Sequence, residues 1–168
     1  MNNSTYTIVV AIAVAIVTSL LVGCGAKGPA PIDPKKTEWL DYSDTRIGFA
    51  IKYPATYNFE PKGGGEIWVI GPDKKLAYRV CYVTYEEAKK RGLWVQTEPV
   101  GNEYISNGRT SHKYVYKYGN AFTFSRTAAY VIEREGKMLA LEIRLDRNNE
   151  AGTLDPGQEE VLRTFTIL

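Results

Sequence analysis

The sequence predicts an α+β domain, an antiparallel sheet of about six or seven strands flanked by helices. Three observations predict it. Apolar residues alternate with period two through Ile47–Tyr53, Leu76–Val83 and Met138–Leu145, the spacing of half-buried strands. Two dipeptides, Asn107-Gly108 and Glu135-Gly136, have the chemistry of tight hairpin turns. Two short segments carry complete helix-start signals, at Thr84 and at Asp155.

The chain opens on an apolar run of 15 residues, Ile8 to Val22. As a helix that run rises only about 22 Å at ~1.5 Å per residue, whereas hydrocarbon is ~30 Å thick. It reads as the core of a cleaved signal peptide over residues 1–23. The run ends in Leu21-Val22-Gly23-Cys24. These four residues resemble the lipobox of bacterial lipoproteins: an aliphatic residue, a variable small or apolar one, a small one, then cysteine. The resemblance implies a diacylglyceryl group on the Cys24 sulfur, cleavage between Gly23 and Cys24, and palmitate-type acylation of the new amino terminus. One buried acyl chain holds a protein only reversibly, whereas two or three make residence effectively permanent. The membrane is thus one expected partner. Two other readings stay open: an uncleaved short anchor, or ordinary cleavage after Ala26 to a soluble product.

Residues 24–37 are rich in Gly, Pro and Lys and lack periodicity, so they read as a lipid-anchored tether, extended by Pro29, Pro31 and Pro34. Lys27, Lys35 and Lys36 read as solvated linker charges, with contact to anionic headgroups as the second reading. The expected location is an extracytoplasmic membrane surface, the cell membrane or, in a cell with two, the outer membrane. Gly25 in place of an acidic residue after the cysteine resembles lipoproteins sent on to the outer membrane.

Residues 38–168 make a single domain. The chain's 21 basic and 19 acidic residues all lie beyond the leader and leave a net charge of +2, without the clustered footprint of a nucleic-acid binder. Of two cysteines, lipidation of Cys24 leaves Cys81 alone. A disulfide framework is thereby excluded, and Cys81, inside an alternating run, is expected buried and inert.

Along the domain, Ile47, Phe49, Ile51 and Tyr53 share a strand face that Pro54 ends. Lys62-Gly63-Gly64-Gly65 is a loop, Ile67–Ile70 a short strand stopped by Gly71-Pro72, and Leu76–Val83 the next strand. Thr84-Tyr85-Glu86-Glu87 has capping-box spacing and opens a helix that Gly92 stops. Asn107-Gly108 joins Glu103–Ser106 to Thr110–Tyr118, and Glu135-Gly136 turns Ala128–Arg134 into Met138–Leu145, where Leu139, Leu141, Ile143 and Leu145 point one way. Asp155-Pro156-Gly157-Gln158 starts a closing helix, and Thr164–Leu168 is a last strand.

Three places in this layout resemble the PsbP-like family. They are Ile47-Gly48-Phe49-Ala50-Ile51-Lys52-Tyr53-Pro54, the hairpin Glu133-Arg134-Glu135-Gly136-Lys137-Met138-Leu139-Ala140-Leu141-Glu142, and Arg163-Thr164-Phe165 after the closing helix. The resemblance implies an α/β/α sandwich over residues 40–168. It implies no shared active site, since such folds host scaffolding and binding roles.

Chemistry is sparse. His112 is the single histidine, which excludes any site needing two. A Cys81–His112 pair requires an exposed, thiolate-forming cysteine. Asp146–Glu150 offers oxygen ligands without the glycine and spacing of a calcium loop, and the glycines at 63–65 enter a strand, unlike a phosphate loop. No cofactor, metal site or catalytic residue is expected. The hint of binding is aromatic: Tyr114, Tyr116 and Tyr118 share a face with His112, and Trp68 and Trp94 lie in adjacent segments. Uncovered, that face is an interaction patch; covered by a helix, it is core with hydroxyls at the rim. The expected role is therefore non-catalytic binding or assembly with an envelope protein. The alternative is an enzyme or small-ligand receptor with a pocket around His112 and Cys81.

Overall fold

The computed structural model describes residues 30–105, 109–119 and 124–168. The leader, Cys24 and the Asn107-Gly108 turn lie outside the described residues. In chain order the strands are β1 (Trp39–Asp44), β2 (Phe49–Pro54), β3 (Asn58–Gly63), β4 (Glu66–Ile70) and β5 (Leu76–Val83). Helix α1 (Tyr85–Lys90) and a 3₁₀ turn (Trp94–Gln96) follow. Then come β6 (Gly101–Ile105), β7 (Arg109–Gly119), β8 (Phe124–Arg134), β9 (Lys137–Leu145), α2 (Pro156–Thr164) and β10 (Thr166–Ile167).

A seven-stranded antiparallel sheet in the order β3-β4-β5-β9-β8-β7-β6 forms the centre. A second sheet of three strands, β1-β2-β10, was not anticipated by the sequence, and it shares one face of the large sheet with α2. The class is α+β, as expected. The sandwich differs from the expected α/β/α in that one outer layer is part sheet.

The alternation of β9 sorts its residues. Leu139, Leu141, Ile143 and Leu145 enter the main core with Phe49, Ile51, Val161, Phe165 and Ile167. A fully buried side chain of this kind contributes roughly 1.5–3 kcal/mol. The opposite face of the sheet is covered by α1 and the 3₁₀ turn, where Ala88, Leu93 and Trp94 meet Cys81, Val83, Ala129, Val131 and Ala140. Central strands are therefore buried on both sides.

Local signals explain the boundaries. Thr84 and Glu87 form the reciprocal capping box, with Glu87 N donating to Thr84 Oγ1 at 3.2 Å and Thr84 N to Glu87 Oε2 at 2.8 Å. Asp155 and Gln158 do the same for α2, whose first residue is Pro156. Glu135 and Gly136 both have positive φ, 54° and 72°, the pair of left-handed residues that a type I′ hairpin needs.

The expected tether is shorter than its composition suggests. From Ala30 onward the chain is applied to the domain: Ile32 packs on the main core and touches Gly157 of α2, where an added Cβ would stand 2.5 Å from the Ile32 Cβ. Asp33–Thr37 is a closed turn, its Asp33 carbonyl accepting from Lys36 N at 3.1 Å and Thr37 Oγ1 at 2.7 Å. Trp39 Nε1 donates to the Pro34 carbonyl at 3.3 Å. One well-placed isoleucine, a glycine that leaves room for it and a self-satisfied turn outweigh the Pro and Lys content.

Candidate functional site

The residues singled out by sequence meet on the α1 face of the large sheet. Register places Glu60, Trp68, Arg79, Glu142, Ala129 and Tyr114 in one row across β3, β4, β5, β9, β8 and β7. The next row holds Glu66, Cys81, Ala140, Val131 and His112. Period-two alternation then adds Tyr116, Tyr118, Thr127 and Arg144 to the same face.

A buried ion pair is its centre. Arg79 and Glu142 are 2 % and 1 % exposed, with Arg79 Nε donating to Glu142 Oε2 at 2.7 Å and Nη2 lying 2.5 Å from the same oxygen. Arg79 Nη1 also reaches Glu66 Oε1 at 3.4 Å, and Arg91 from the end of α1 closes onto Glu66 Oε2. Burial is the largest influence and works against the Arg79 cation, but Glu142, joined by Cys81, Tyr116 and Tyr118, outweighs it and holds its pKa above the ordinary value. Burial likewise works against the Glu66 carboxylate; a 2.5 Å hydrogen bond from Trp68 Nε1 and the two guanidiniums bring its pKa below the usual range.

A second arginine, Arg144, is 6 % exposed. It donates to Thr127 Oγ1 at 2.6 Å and Ser125 Oγ at 3.2 Å, and its guanidinium stacks 3.9 Å from the centre of the Tyr118 ring. Burial lowers its pKa, with Glu142 opposing. The Arg79 guanidinium approaches the same ring at 4.9 Å. Two cations thus share one aromatic ring, an arrangement strengthened by desolvation.

Two sequence expectations are corrected here. Trp94 is 0 % and Tyr116 5 % exposed, so neither belongs to an open aromatic face. The reason is the pair of alanines: Ala129 and Ala140 leave a hollow in the sheet that the 3₁₀ turn fills with the Trp94 indole. Tyr114, Tyr118 and Trp68 remain partly exposed at the rim of the covered patch.

The Cys81–His112 pocket is likewise not formed. Both residues stand in one row, but β9 and β8 lie between their strands; three steps of ~4.8 Å put their backbones about 14 Å apart. His112 is exposed, while Cys81 is 0 % exposed and donates to Glu142 Oε1 at 3.7 Å. Burial first, then the Glu142 charge, pushes the thiol well above its ordinary pKa. Such a thiol stays protonated, the opposite of what nucleophilic or metal chemistry needs.

Arg79, Glu142, Arg144 and Glu66 were not among the residues singled out by sequence. Their signal was present: Met138, Ala140, Glu142 and Arg144 form the second face of β9, and charges on the second face of a central strand are buried once that face is covered.

No family model matches this chain, and no curated protein matches it. Among solved structures, a crystal structure from Bacteroides thetaiotaomicron VPI-5482 is similar at a TM-score of 0.51 and 13 % identity, over 76 % of this chain and 48 % of that one. The solution structure of the cyanobacterial PsbP protein CyanoP from Synechocystis sp. PCC 6803 is similar at a TM-score of 0.50 and 15 % identity, over 87 % of this chain and 98 % of that one. The chain therefore spans about half the length of the first and nearly all of the second. At these identities the likeness is one of fold, which is PsbP-like.

Proposed function

We propose that this protein is a lipoprotein, anchored by acyl chains on Cys24 to an extracytoplasmic membrane surface, whose domain binds or assembles with an envelope protein without catalysing a reaction. The observation that carries the reading is Leu21-Val22-Gly23-Cys24, set at the end of an apolar run too short to span a bilayer. The chemistry of the sheet face supports the non-catalytic part. Its strongest groups are spent on one another: Glu142 on Arg79 and Cys81, Glu66 on Arg79, Arg91 and Trp68, Arg144 on Thr127, Ser125 and Tyr118. The partner contact is assigned to the rim, where Trp68, Tyr114 and Tyr118 offer rigid amphipathic rings.

The anchor is tested by replacing Cys24 with Ala and feeding cells a clickable fatty-acid analogue. The wild-type protein is expected to take up label and sediment with membranes, and the variant to do neither; equal labelling of both overturns the reading. The partner is tested by placing a photo-crosslinking residue at Tyr118 or Tyr114 in intact cells, with an exposed position on β1, such as Leu40, as control. A discrete adduct from the rim alone is expected, whereas adducts indistinguishable from the control overturn the assignment.

A further inference from the structure

One end of the large sheet brings exposed cations and an aromatic ring next to the start of the described chain. The row Tyr78, Ile143, Ala128 and Val115 crosses β5, β9, β8 and β7. Beyond it, towards one end, the strands run on to Leu76, to Leu145, to Phe124 and to Gly119. The chain enters the domain at that same end: Ala30, Pro31, Ile32 and Asp33 share a 350 Å³ cleft with Pro54, Pro72 and Asp73, next to the start of β5.

The placement matters because so little sequence remains between the domain and Cys24. Six peptide steps separate Cys24 from Ala30, and even fully extended they reach about 21 Å at ~3.5 Å each. An acylated Cys24 therefore keeps the entry point at Ala30 within about 21 Å of the bilayer.

The side chains there suit that position. Lys117 and Arg147 lie over the ring of Phe124, at 5.0 Å and 4.4 Å from its centre, an aromatic flanked by two cations at the start of β8, opposite Gly119. Lys35 and Lys74 are exposed on the two neighbouring turns. The acids at this end are largely engaged: Asp33 with Lys36 at 3.3 Å, Asp73 with Lys75 at 3.6 Å, Glu150 with Arg126 at 2.6 Å, and Asp155 in the cap of α2. Glu38 is the exposed exception; Asp146, also exposed, has a partner. Among the described residues, no ion pair within 4.0 Å holds Lys35, Lys74, Lys117 or Arg147.

We propose that this end of the domain docks on the anionic headgroups of the membrane that carries it, with Lys35, Lys74, Lys117 and Arg147 as the electrostatic contacts and Phe124 at the acyl boundary. The inference rests on the lipid-anchor reading, and it adds a fixed orientation to it. The opposite end, with α1, the glycine loop at 63–65 and the Glu135-Gly136 turn, then faces away from the bilayer.

The test uses the mature acylated protein in phosphatidylcholine vesicles and in mixed phosphatidylcholine–phosphatidylglycerol vesicles, read by amide hydrogen exchange. In the anionic vesicles, exchange at residues 73–75 and 117–119 is expected to slow by at least about fivefold relative to neutral ones, the size of one cation–headgroup contact, with residues 63–65 and 134–137 unchanged. A variant carrying K35E, K74E, K117E and R147E is expected to lose that protection while still floating with the vesicles. In wild-type protein, raising the salt from ~0.1 M to ~1 M, which shortens the screening length from about 10 Å to about 3 Å, is expected to do the same with no substitution. Equal exchange in both vesicle types, or protection at the other end, overturns the proposal. Intact mass of the same preparation reports the lipid on Cys24 separately: an unmodified cysteine overturns the anchor, and with it this orientation, whereas a lipidated protein without charge-dependent protection overturns the docking alone.

Discussion

The Glu142 carboxylate, in the middle of the sheet, receives Arg79 from the adjacent strand at 2.5 Å. Breaking such a pair leaves one charge stranded in the interior, at a cost of about 3–5 kcal/mol. Glu142→Leu alone is therefore expected to destabilise the domain by roughly that amount, read as a lower urea midpoint. The double substitution Arg79→Met with Glu142→Leu removes both charges and is expected to recover most of the loss. A double variant no more stable than the single one contradicts this account.

Asp44 is 5 % exposed and gathers the turn between β1 and β2, accepting from Arg46 N at 2.9 Å, Ile47 N at 3.2 Å and Arg46 Nη2 at 2.9 Å. The Arg46 side chain above all, and then the two backbone N–H groups, outweigh burial and hold its carboxyl below the ordinary range. A carboxyl lowered on folding stabilises at pH above its unfolded value, and that contribution disappears as pH falls through the folded value. The Glu66 carboxyl acts in the same direction. Stability is thus expected to decline below about pH 4, and Asp44→Asn to flatten that decline while costing about 1 kcal/mol at neutral pH. Thermal melts of both proteins from neutral to acid pH measure it, and an unchanged slope in the variant counts against it.

Trp94 fills the hollow above Ala129 and Ala140. Ala140→Leu is expected to overfill it, costing about 1–3 kcal/mol and pushing the indole towards water. The combined readout is a lower melting temperature and a red-shifted tryptophan emission. A melt unchanged from wild type argues that the hollow is not filled as described.

Glu135 occupies a left-handed position, φ 54°, that side chains other than Asn, Asp and Gly resist. Glu135→Asn is expected to stabilise the hairpin by about 0.5–1 kcal/mol, since the ion pair it loses, to Arg134 at 3.6 Å, is long and exposed on the Glu135 side. Chemical denaturation decides the sign.

Gly157→Ala places a methyl 2.5 Å from the Ile32 Cβ and 2.9 Å from its carbonyl oxygen. The segment at 30–37 is expected to lift off α2, so that trypsin cuts after Lys35 and Lys36 faster than in wild type while the rest of the domain resists. Equal cleavage rates indicate that Ile32 does not hold the segment.

How much of this was legible in sequence follows from burial. The strands β5, β8 and β9 and both helices were readable because alternation and caps are local signals. The edge strand β3 was not: Asn58-Phe59-Glu60-Pro61-Lys62-Gly63 offers one aromatic and a proline, which edges tolerate. Strand β1 was missed because its pairing to β2, not its own pattern, makes it a strand. Cys81 was correctly placed in the interior and the tyrosines correctly on one face. Arg79, Glu142 and Arg144 escaped because a charge in an alternating strand reads as solvent-facing until something covers that side, and the cover, Trp94, comes from a turn with no periodicity.

The small sheet ties the last strand to one near the beginning, Thr166 opposite Ala50 and Ile167 opposite Phe49. As the chain is synthesised the amino-terminal half emerges first, yet Phe49 cannot be sealed against Phe165, 5.8 Å away between ring centres, until residues 165–167 have been added. The domain is thus kept incomplete through most of its synthesis by its own connectivity. Truncation by a handful of residues at the carboxyl end strips a layer from the core, whereas an equal loss from a surface loop does not.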